Sequence, residues 1–465
     1  QVLKIGISTG IVEDDGLQYK SCRRVNGEWQ CRDCGATTTA KTLKDWNQCL
    51  LLTPQSPCQS WKADEWDLAR PRRQTLHDPF SREDGLRYAV DRPGYRGALE
   101  QYPCVKLQDC FDVSKCNTSS GLLQVYLYGE TGEILARRIT EGRLQNVVNF
   151  TTSPDEACLF VVTPRSYLHK RKEDFANLTS SSFWNEGRNH FMFRSHWILD
   201  SDWDRFSPKE HNYQRAALST PNFFQGTLRI GYDMPLYYDH PQSPFSVNDT
   251  IYDLVTRHIH RPRSLLLTFQ GTIKPVTPWF QHRWLASAYW FEDTKSGLDD
   301  ILLNVRCPAD NVELEHSRMD YVTALTSSTF VFCPGGKSPG SWRFGEALAM
   351  GAIPVVTTDF LAPFSLGDWD RCLVRINEGR IIDLPRLMRL MSPESIRDRQ
   401  AACHALFVGT IGWMQHKSKW TIDIEGTTFV TAMHVWKGRI AAELQRLGEE
   451  RKLVEELHVA AASSA

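Results

Sequence analysis

From about residue 99 onward the chain reads as an α/β protein built of two doubly wound domains that face each other across a cleft. Three observations carry this expectation. Short apolar runs recur, several of them apolar on both faces, as strands of a helix-covered parallel sheet must be. Helical patterns separate the runs. The whole series then starts again near residue 264, which gives two strand-and-helix arrays in tandem. A chain of 465 residues with 41% hydrophobic and 23% charged residues can bury a sizeable core, which excludes a disordered or low-complexity protein. Lys and Arg number 54 against 55 Asp and Glu, a net charge of −1, and this balance argues against a nucleic-acid partner. No run approaches the ~18 apolar residues that a membrane span needs.

Residues 1–98 are rich in Cys, Trp and charge and show no sustained periodicity, and 64–96 read as an irregular, proline-punctuated connector. This region is taken as a disulfide-stapled extension. Five of the 13 cysteines lie within its first sixty residues: Cys22, Cys31, Cys34, Cys49 and Cys58. Cys31-x-x-Cys34 could begin a zinc site, but Cys49 and Cys58 do not supply a second pair at similar spacing, so disulfides are the favoured reading. Cys104, Cys110, Cys116 and Cys158 are further disulfide candidates, and the odd total leaves a free thiol or an intermolecular bridge. Four glycosylation triplets begin at Asn117, Asn149, Asn177 and Asn248. Cysteines and triplets together point to an oxidising, lumenal or secreted setting.

The first array occupies 99–255, with strands expected at 122–128, 158–163, 190–193 and 227–232. The second occupies 256–430, with strands at 264–269, 301–305, 329–332, 353–357 and 372–376 and helices at 320–326 and 342–350. The remainder, 431–465, is a long amphipathic helix and tail.

The chemistry concentrates in STFVFCPGGKSPGSWRFGEALAMGAIPVV, residues 328–356. It reads as strand, glycine-rich loop, helix, glycine stop and strand, with Ser341 as the expected helix N-cap and Gly351 as the stop. A helix start at the carboxyl end of a parallel strand suits a diphosphate. Glycines such as Gly340 let the backbone approach closely, and Lys337 and Arg343 add charge. Glu346, one turn beyond Arg343, suits the hydroxyls of a ribose. A phosphate-binding Arg and a ribose-binding Glu together fit a nucleotide-diphosphate sugar, whereas the competing reading is a solvated Arg343–Glu346 ion pair on a surface helix. The loop matches neither the G-x-x-x-x-G-K-[ST] nor the G-x-G-x-x-G pattern, so an NTPase or dehydrogenase reading lacks its main support.

These residues, with Ala362-Pro363-Phe364 and Asp368-Trp369 behind them, resemble the exostosins, glycosyltransferase family 47. Further landmarks run in family order: Cys110 to Cys116, Ser153 to Phe160, Trp184 to His190, Tyr232 to Pro235, and Phe269-Gln-Gly271 with Arg283 following. The likeness is strongest to the first transferase domain of the animal heparan-sulfate polymerases and covers about 104–405; residues 1–98 have no counterpart in it. The resemblance implies a GT-B fold of two Rossmann-like domains and an inverting transfer from a UDP-sugar donor to a glycan or polysaccharide acceptor. It implies no cofactor and no essential metal, with Arg343 and Arg283 neutralising the diphosphate and Glu346 holding the ribose. It also implies the Golgi lumen, reached through an N-terminal anchor outside this chain or as a secreted form, and it admits a homo- or hetero-oligomer. UDP-glucuronate is the expected donor, with UDP-xylose, UDP-galactose and UDP-arabinose as alternatives. Two departures stand out. The cysteine that pairs with the position of Cys333 in those polymerases is replaced by Ala352, so Cys333 takes another partner such as Cys307 or is free. The loop before the helix is less basic, which bears on whether the donor sugar carries a carboxylate.

Inversion needs a base from the first array. Asp233 and His190 are the candidates, each with a structural alternative: an Asx turn and a packed histidine. His169 and Glu173 lie in a further loop. Asp200-Ser-Asp202-Trp-Asp204 imitates a metal-binding Asp-x-Asp but sits far from the glycine loop, and is read as a solvated acidic loop. Other functions compatible with the residues are a catalytically silent exostosin-like subunit and a secreted carbohydrate-binding protein.

Overall fold

A computed structural model of the chain describes residues 22–25, 28–31, 39–40, 104, 107–116, 121–128, 144–162, 178–193, 215–220, 232–237, 245–273, 282–283, 286–287, 290, 299–307, 312–315, 319–336, 340–357, 360–365, 369–376, 381, 384–416, 418–422 and 424–463. In the extension, β1 (Cys22–Val25), β2 (Glu28–Cys31) and β3 (Thr39–Ala40) form an antiparallel sheet in that order. Cys22 and Cys31 lie on β1 and β2, and the side chains on which the expected cystine pairing rests are outside the described ones.

Six strands build the first large sheet: β4 (Leu123–Leu127), β5 (Val148–Phe150), β6 (Leu159–Val162), β7 (His190–Phe193), β8 (Ala217–Thr220) and β9 (Met234–Pro235). Their order is β5-β4-β6-β7-β8-β9 and every pair is parallel. β6 and β7 are buried at every position, which is why their sequences LFVV and HFMF show no alternation. Of the strand expected over 227–232, only Tyr232 lies among the described residues.

The amino end of this sheet is stapled beside the interior strand β6. A short helix α1 (Leu107–Cys110) is held by the Cys104–Cys110 disulfide, and Cys116 pairs with Cys158 immediately before β6. All four candidate cysteines are therefore bridged. Closing the 42-residue separation of the second bridge stabilises by about 4 kcal/mol in the chain-entropy picture.

The chain then makes β10 (Ser246–Val247) and α2 (Asp249–Arg257). Asn248 caps α2, its side-chain oxygen accepting from the Ile251 amide at 2.9 Å. Asn248 and Asn149 of β5 are both exposed, as glycosylation acceptors must be; Asn117 and Asn177 lie outside the described residues.

The second large sheet comprises β11 (Leu265–Thr272), β12 (Ile301–Cys307), β13 (Val312–Glu315), β14 (Ser328–Phe332), β15 (Ile353–Thr357) and β16 (Val374–Ile376), in the order β13-β12-β11-β14-β15-β16. Only β13, a strand the residues did not announce, runs antiparallel. α3 (Tyr321–Ser327) precedes β14, with Asp320 as its cap, and α4 (Arg343–Ala349) joins β14 to β15. Gly351, at φ +66°, stops α4 in the left-handed region that glycine tolerates. Two expectations are corrected here. Trp342, not Ser341, stands at the N-cap of α4 and makes no side-chain cap bond. The strand expected from 372 begins at Val374, because α5 (Trp369–Cys372) winds first and ties Cys372 to Cys403.

α6 (Leu384–Arg389) and α7 (Pro393–Thr410) follow, then the hairpin β17 (Met414–His416) and β18 (Lys419–Thr421), whose second strand pairs with β10. The last helix, α8 (Ile424–Ser463), is 40 residues long and begins seven residues earlier than its amphipathic pattern suggested. It returns to the first sheet. Trp436 stacks on Phe111 at 5.3 Å and meets Phe191 edge-on at 5.4 Å, while Arg439 donates to the carbonyls of Tyr232 and Asp233. Two Rossmann-like sheets in tandem, with a closing helix that crosses back, constitute the GT-B arrangement.

Candidate active site

In the second sheet the chain winds outward from β11 to β12 and β13, then returns to β14 on the other flank of β11. The winding direction reverses between β11 and β14. Open α/β sheets leave a crevice outside the carboxyl ends of the strands at such a point. Both sequence-predicted arginines are found there. Arg343 Nε donates to the Gln270 carbonyl at 2.6 Å, its Nη1 lies 3.4 Å from the Ser341 hydroxyl, and its guanidinium sits 5.3 Å from the Phe269 ring. Arg283 Nε donates to the Gly335 carbonyl and Nη1 to the Thr272 carbonyl, both at 2.8 Å. Arg343 is 6% exposed and Arg283 8%.

Glycine makes room for both. A Cβ at Gly271 would stand 2.6 Å from Arg343 Nη2, and one at Gly336 would stand 2.5 Å from Arg283 Nη2. The glycines therefore serve the arginines as much as any ligand, a role the sequence pattern did not convey.

Arg343 makes no ion pair with any described carboxylate, so the solvated-pair reading does not hold. Glu346 turns to another partner instead: Tyr321 of α3 donates its hydroxyl to Glu346 Oε2 at 2.5 Å. Burial raises the Glu346 carboxyl above the usual carboxylate range, an effect partly offset by the Tyr321 bond and by Arg343 nearby. Burial, with the Glu346 charge beside it, holds the Tyr321 phenol well above its ordinary value and keeps it a donor. Tyr321 was missed in the sequence, because nothing in a 25-residue separation marks the two as partners. Ser341 is buried behind Arg343, Gly340 is half-buried, and Trp342 is 36% exposed at the rim. Lys337 lies outside the described residues. Cys333 is a free, buried thiol, and burial pushes it above the ordinary thiol range, so it stays protonated.

The two base candidates sit elsewhere. His190 has zero exposure, and its ring stacks on Phe160 at 4.7 Å. Its Nδ1 donates to the Arg188 carbonyl at 2.8 Å and its Nε2 accepts from the Tyr128 hydroxyl at 2.9 Å. Burial lowers its pKa to about 4. Asp233 is 1% exposed, with Oδ1 accepting the Leu218 amide at 2.9 Å. Asp233, just before the short β9, is level with Leu218, Met192 and Val162, near the carboxyl ends of β6 to β8, whereas His190 opens β7 at the amino end of the sheet. A base for a substrate held at carboxyl edges belongs on the opposite side. His190 therefore has the packed surroundings of its structural alternative, and Asp233 remains the base candidate on the carboxyl side. The loop with His169 and Glu173 and the acidic stretch from Asp200 to Asp204 lie outside the described residues.

The Exostosin GT47 domain matches residues 107–391, well over half of the chain. The chain belongs to the exostosin GT47 family. This family's glycosyltransferase domain thus contains the arginine crevice, Tyr321 and Glu346. Among its relatives, the Exostosin-1 homolog of Caenorhabditis elegans is 26% identical over 344 residues, 66% of this chain and 85% of that one. Exostosin-1 of Drosophila melanogaster is 26% identical over 327 residues, and Exostosin-1c of Danio rerio 28% over 330. Each alignment takes in 63% of this chain but only 41% of the relative's length. Solved structures with some likeness are Anabaena Alr3699/HepE in complex with UDP and glucose (9% identity, TM-score 0.26, 66% of this chain and 83% of that one) and a UDP-forming trehalose-phosphate synthase of Burkholderia vietnamiensis (11%, 0.31, 94% and 91%).

Proposed function

We propose that this exostosin-family protein is an inverting glycosyltransferase that takes its sugar from a UDP-sugar and delivers it to a glycan or polysaccharide acceptor. The observation that carries the reading is the pair of buried arginines at the winding reversal, with a tyrosine-oriented glutamate one helical turn from Arg343. Guanidinium groups fixed by backbone carbonyls are pre-oriented cationic donors, and two of them suit the negative charge of a diphosphate. Such fixed charge does the work that a metal ion does in other transferases, so the reaction on this reading needs no metal. With Oε2 of Glu346 bonded to Tyr321, Oε1 is left to accept a ribose hydroxyl. The donor sugar is glucuronate on the family likeness, with xylose, galactose and arabinose as the alternatives to test. The Cys104–Cys110, Cys116–Cys158 and Cys372–Cys403 bridges suit an oxidising lumen such as the Golgi.

A UDP-release assay over a panel of UDP-sugars, with calorimetric titration of UDP, tests the reading. One UDP-sugar is expected to support turnover without added metal. Arg343→Ala is expected to lower kcat/KM by about a hundredfold or more, and Glu346→Gln to raise the donor KM, with the fold intact. Wild-type protein that binds no UDP would instead be the silent-subunit alternative.

A further inference from the structure

Arg263 precedes β11 at the opposite, amino edge of the second sheet, and none of its hydrogen bonds goes to a carboxylate. Nη1 donates to the carbonyls of Thr326 at 3.1 Å and Ser328 at 2.9 Å; Nη2 donates to those of Met350 at 3.2 Å and Gly351 at 2.7 Å. Thr326 belongs to the last turn of α3, and Met350 and Gly351 close α4. One guanidinium therefore grips the negative poles of both helices, where a cation is favoured. Arg261 adds a bond to the Thr326 carbonyl at 2.6 Å, and the Thr326 hydroxyl reaches Met350 Sδ at 3.3 Å. Although burial and neighbouring Arg261 lower its pKa to about 9, Arg263 is charged at neutral pH. Gly351 fits this arrangement, since a Cβ there would lie 3.0 Å from Arg263 Nη2.

α3 carries Tyr321 and α4 carries Glu346 and Arg343. At the far end the two helices are joined by the Tyr321–Glu346 bond. We infer that Arg263 is a positioning residue for nucleotide binding: by clasping the carbonyl ends of α3 and α4 it sets the spacing at which Tyr321 orients Glu346. It never touches the ligand. The inference rests on the reading of Glu346 as the ribose contact. A lysine can hold the charge but cannot fork among four carbonyls.

The test compares wild type, Arg263→Lys, Tyr321→Phe and the double variant by calorimetric titration with UDP and with inorganic pyrophosphate, alongside thermal unfolding. Arg263→Lys is expected to fold cooperatively and to weaken UDP about tenfold, the loss of one good hydrogen bond, while pyrophosphate, which lacks ribose, changes about twofold or less. In the Tyr321→Phe background the same substitution should cost UDP about twofold or less, since the bond it protects is already gone. Equal losses for UDP and pyrophosphate, fully additive effects, or failure of Arg263→Lys to fold would each reduce Arg263 to a folding residue and overturn the inference. Wild type that binds pyrophosphate but gains nothing from the nucleoside would overturn the ribose assignment instead.

Discussion

Arg343 and Glu346 stand one helical turn apart, the spacing of an ion pair, yet each is drawn to a different partner by what surrounds it. The guanidinium is pulled back along β11 by the Gln270 carbonyl, and the carboxylate is taken by the Tyr321 hydroxyl. Neither partner is near in sequence, so the residue types were legible and their division of labour was not. His190 makes the converse point. Its side chain has the chemistry of a base, but it is enclosed by Tyr128, Phe160 and Trp184, and burial opposes the uptake of a proton. With a pKa of about 4 in the fold against 6.5 in an exposed chain, the unfolded state binds more protons between these values. The stability contributed by neutral His190 is therefore complete above about 6.5 and is lost as pH falls through that value toward 4, by about 3 kcal/mol at most. Urea unfolding of His190→Gln should show lower stability at pH 7, by about 1–3 kcal/mol, but a much smaller decline on acidification. Turnover per folded molecule should be retained; its loss at undiminished stability would restore His190 as a base.

At the scale of elements, the strand–loop–helix–strand unit from β14 to β15 was readable because its periodicity, its glycines and its lengths agree. Elsewhere the short strands β5, β8, β9 and β13 went unannounced, and other errors fell at ends. Ser341 makes no cap bond to α4, because its hydroxyl accepts from Arg343 rather than from a backbone amide of the first turn. Cys372 closes the short helix α5 and is bridged to Cys403 of α7, so the strand starts two residues later. The glycines at strand and loop ends are where this scale meets function. Gly271→Ala and Gly336→Ala each place a methyl against the tip of an arginine, and at Gly271 also within 3.1 Å of the Phe269 ring, so side chains shift while the backbone stays. The melting temperature should therefore correspond to less than about 1 kcal/mol of change, while kcat/KM for the donor falls about tenfold to a hundredfold through misplaced charge. Donor kinetics set beside thermal melts check this, and unchanged kinetics would detach the arginines from the reaction.

For the whole molecule, α8 is the element that makes two sheets one protein. It follows the second sheet in the chain and completes the core of the first, with Trp436 fully buried between Phe111, Phe191 and Tyr232. Tyr237, just past β9, then packs on Phe344 of α4 at 5.8 Å and bonds the Thr410 hydroxyl at 2.7 Å, so the first sheet presses directly on the helix that carries Arg343. Trp436→Ala should cost about 3–5 kcal/mol, the loss expected of a large buried aromatic, and should appear in calorimetry as weaker unfolding of the first sheet. A negligible change would mean that α8 merely lies on the surface.

Read as letters, the residues were enough for two tandem doubly wound arrays and the family, and they singled out Arg283, Arg343 and Glu346 for attention, because hydrophobic period, glycine placement and charge are local properties. They could not show that Tyr321 belongs with Glu346, that Gly271 and Gly336 shelter guanidinium groups, that Arg263 joins two helix ends, or that His190 and Asp233 lie toward opposite ends of the first sheet. Those facts depend on strand order and on which end of a parallel strand a residue occupies. Strand order is set by long-range pairing across the core, which no short stretch of sequence encodes.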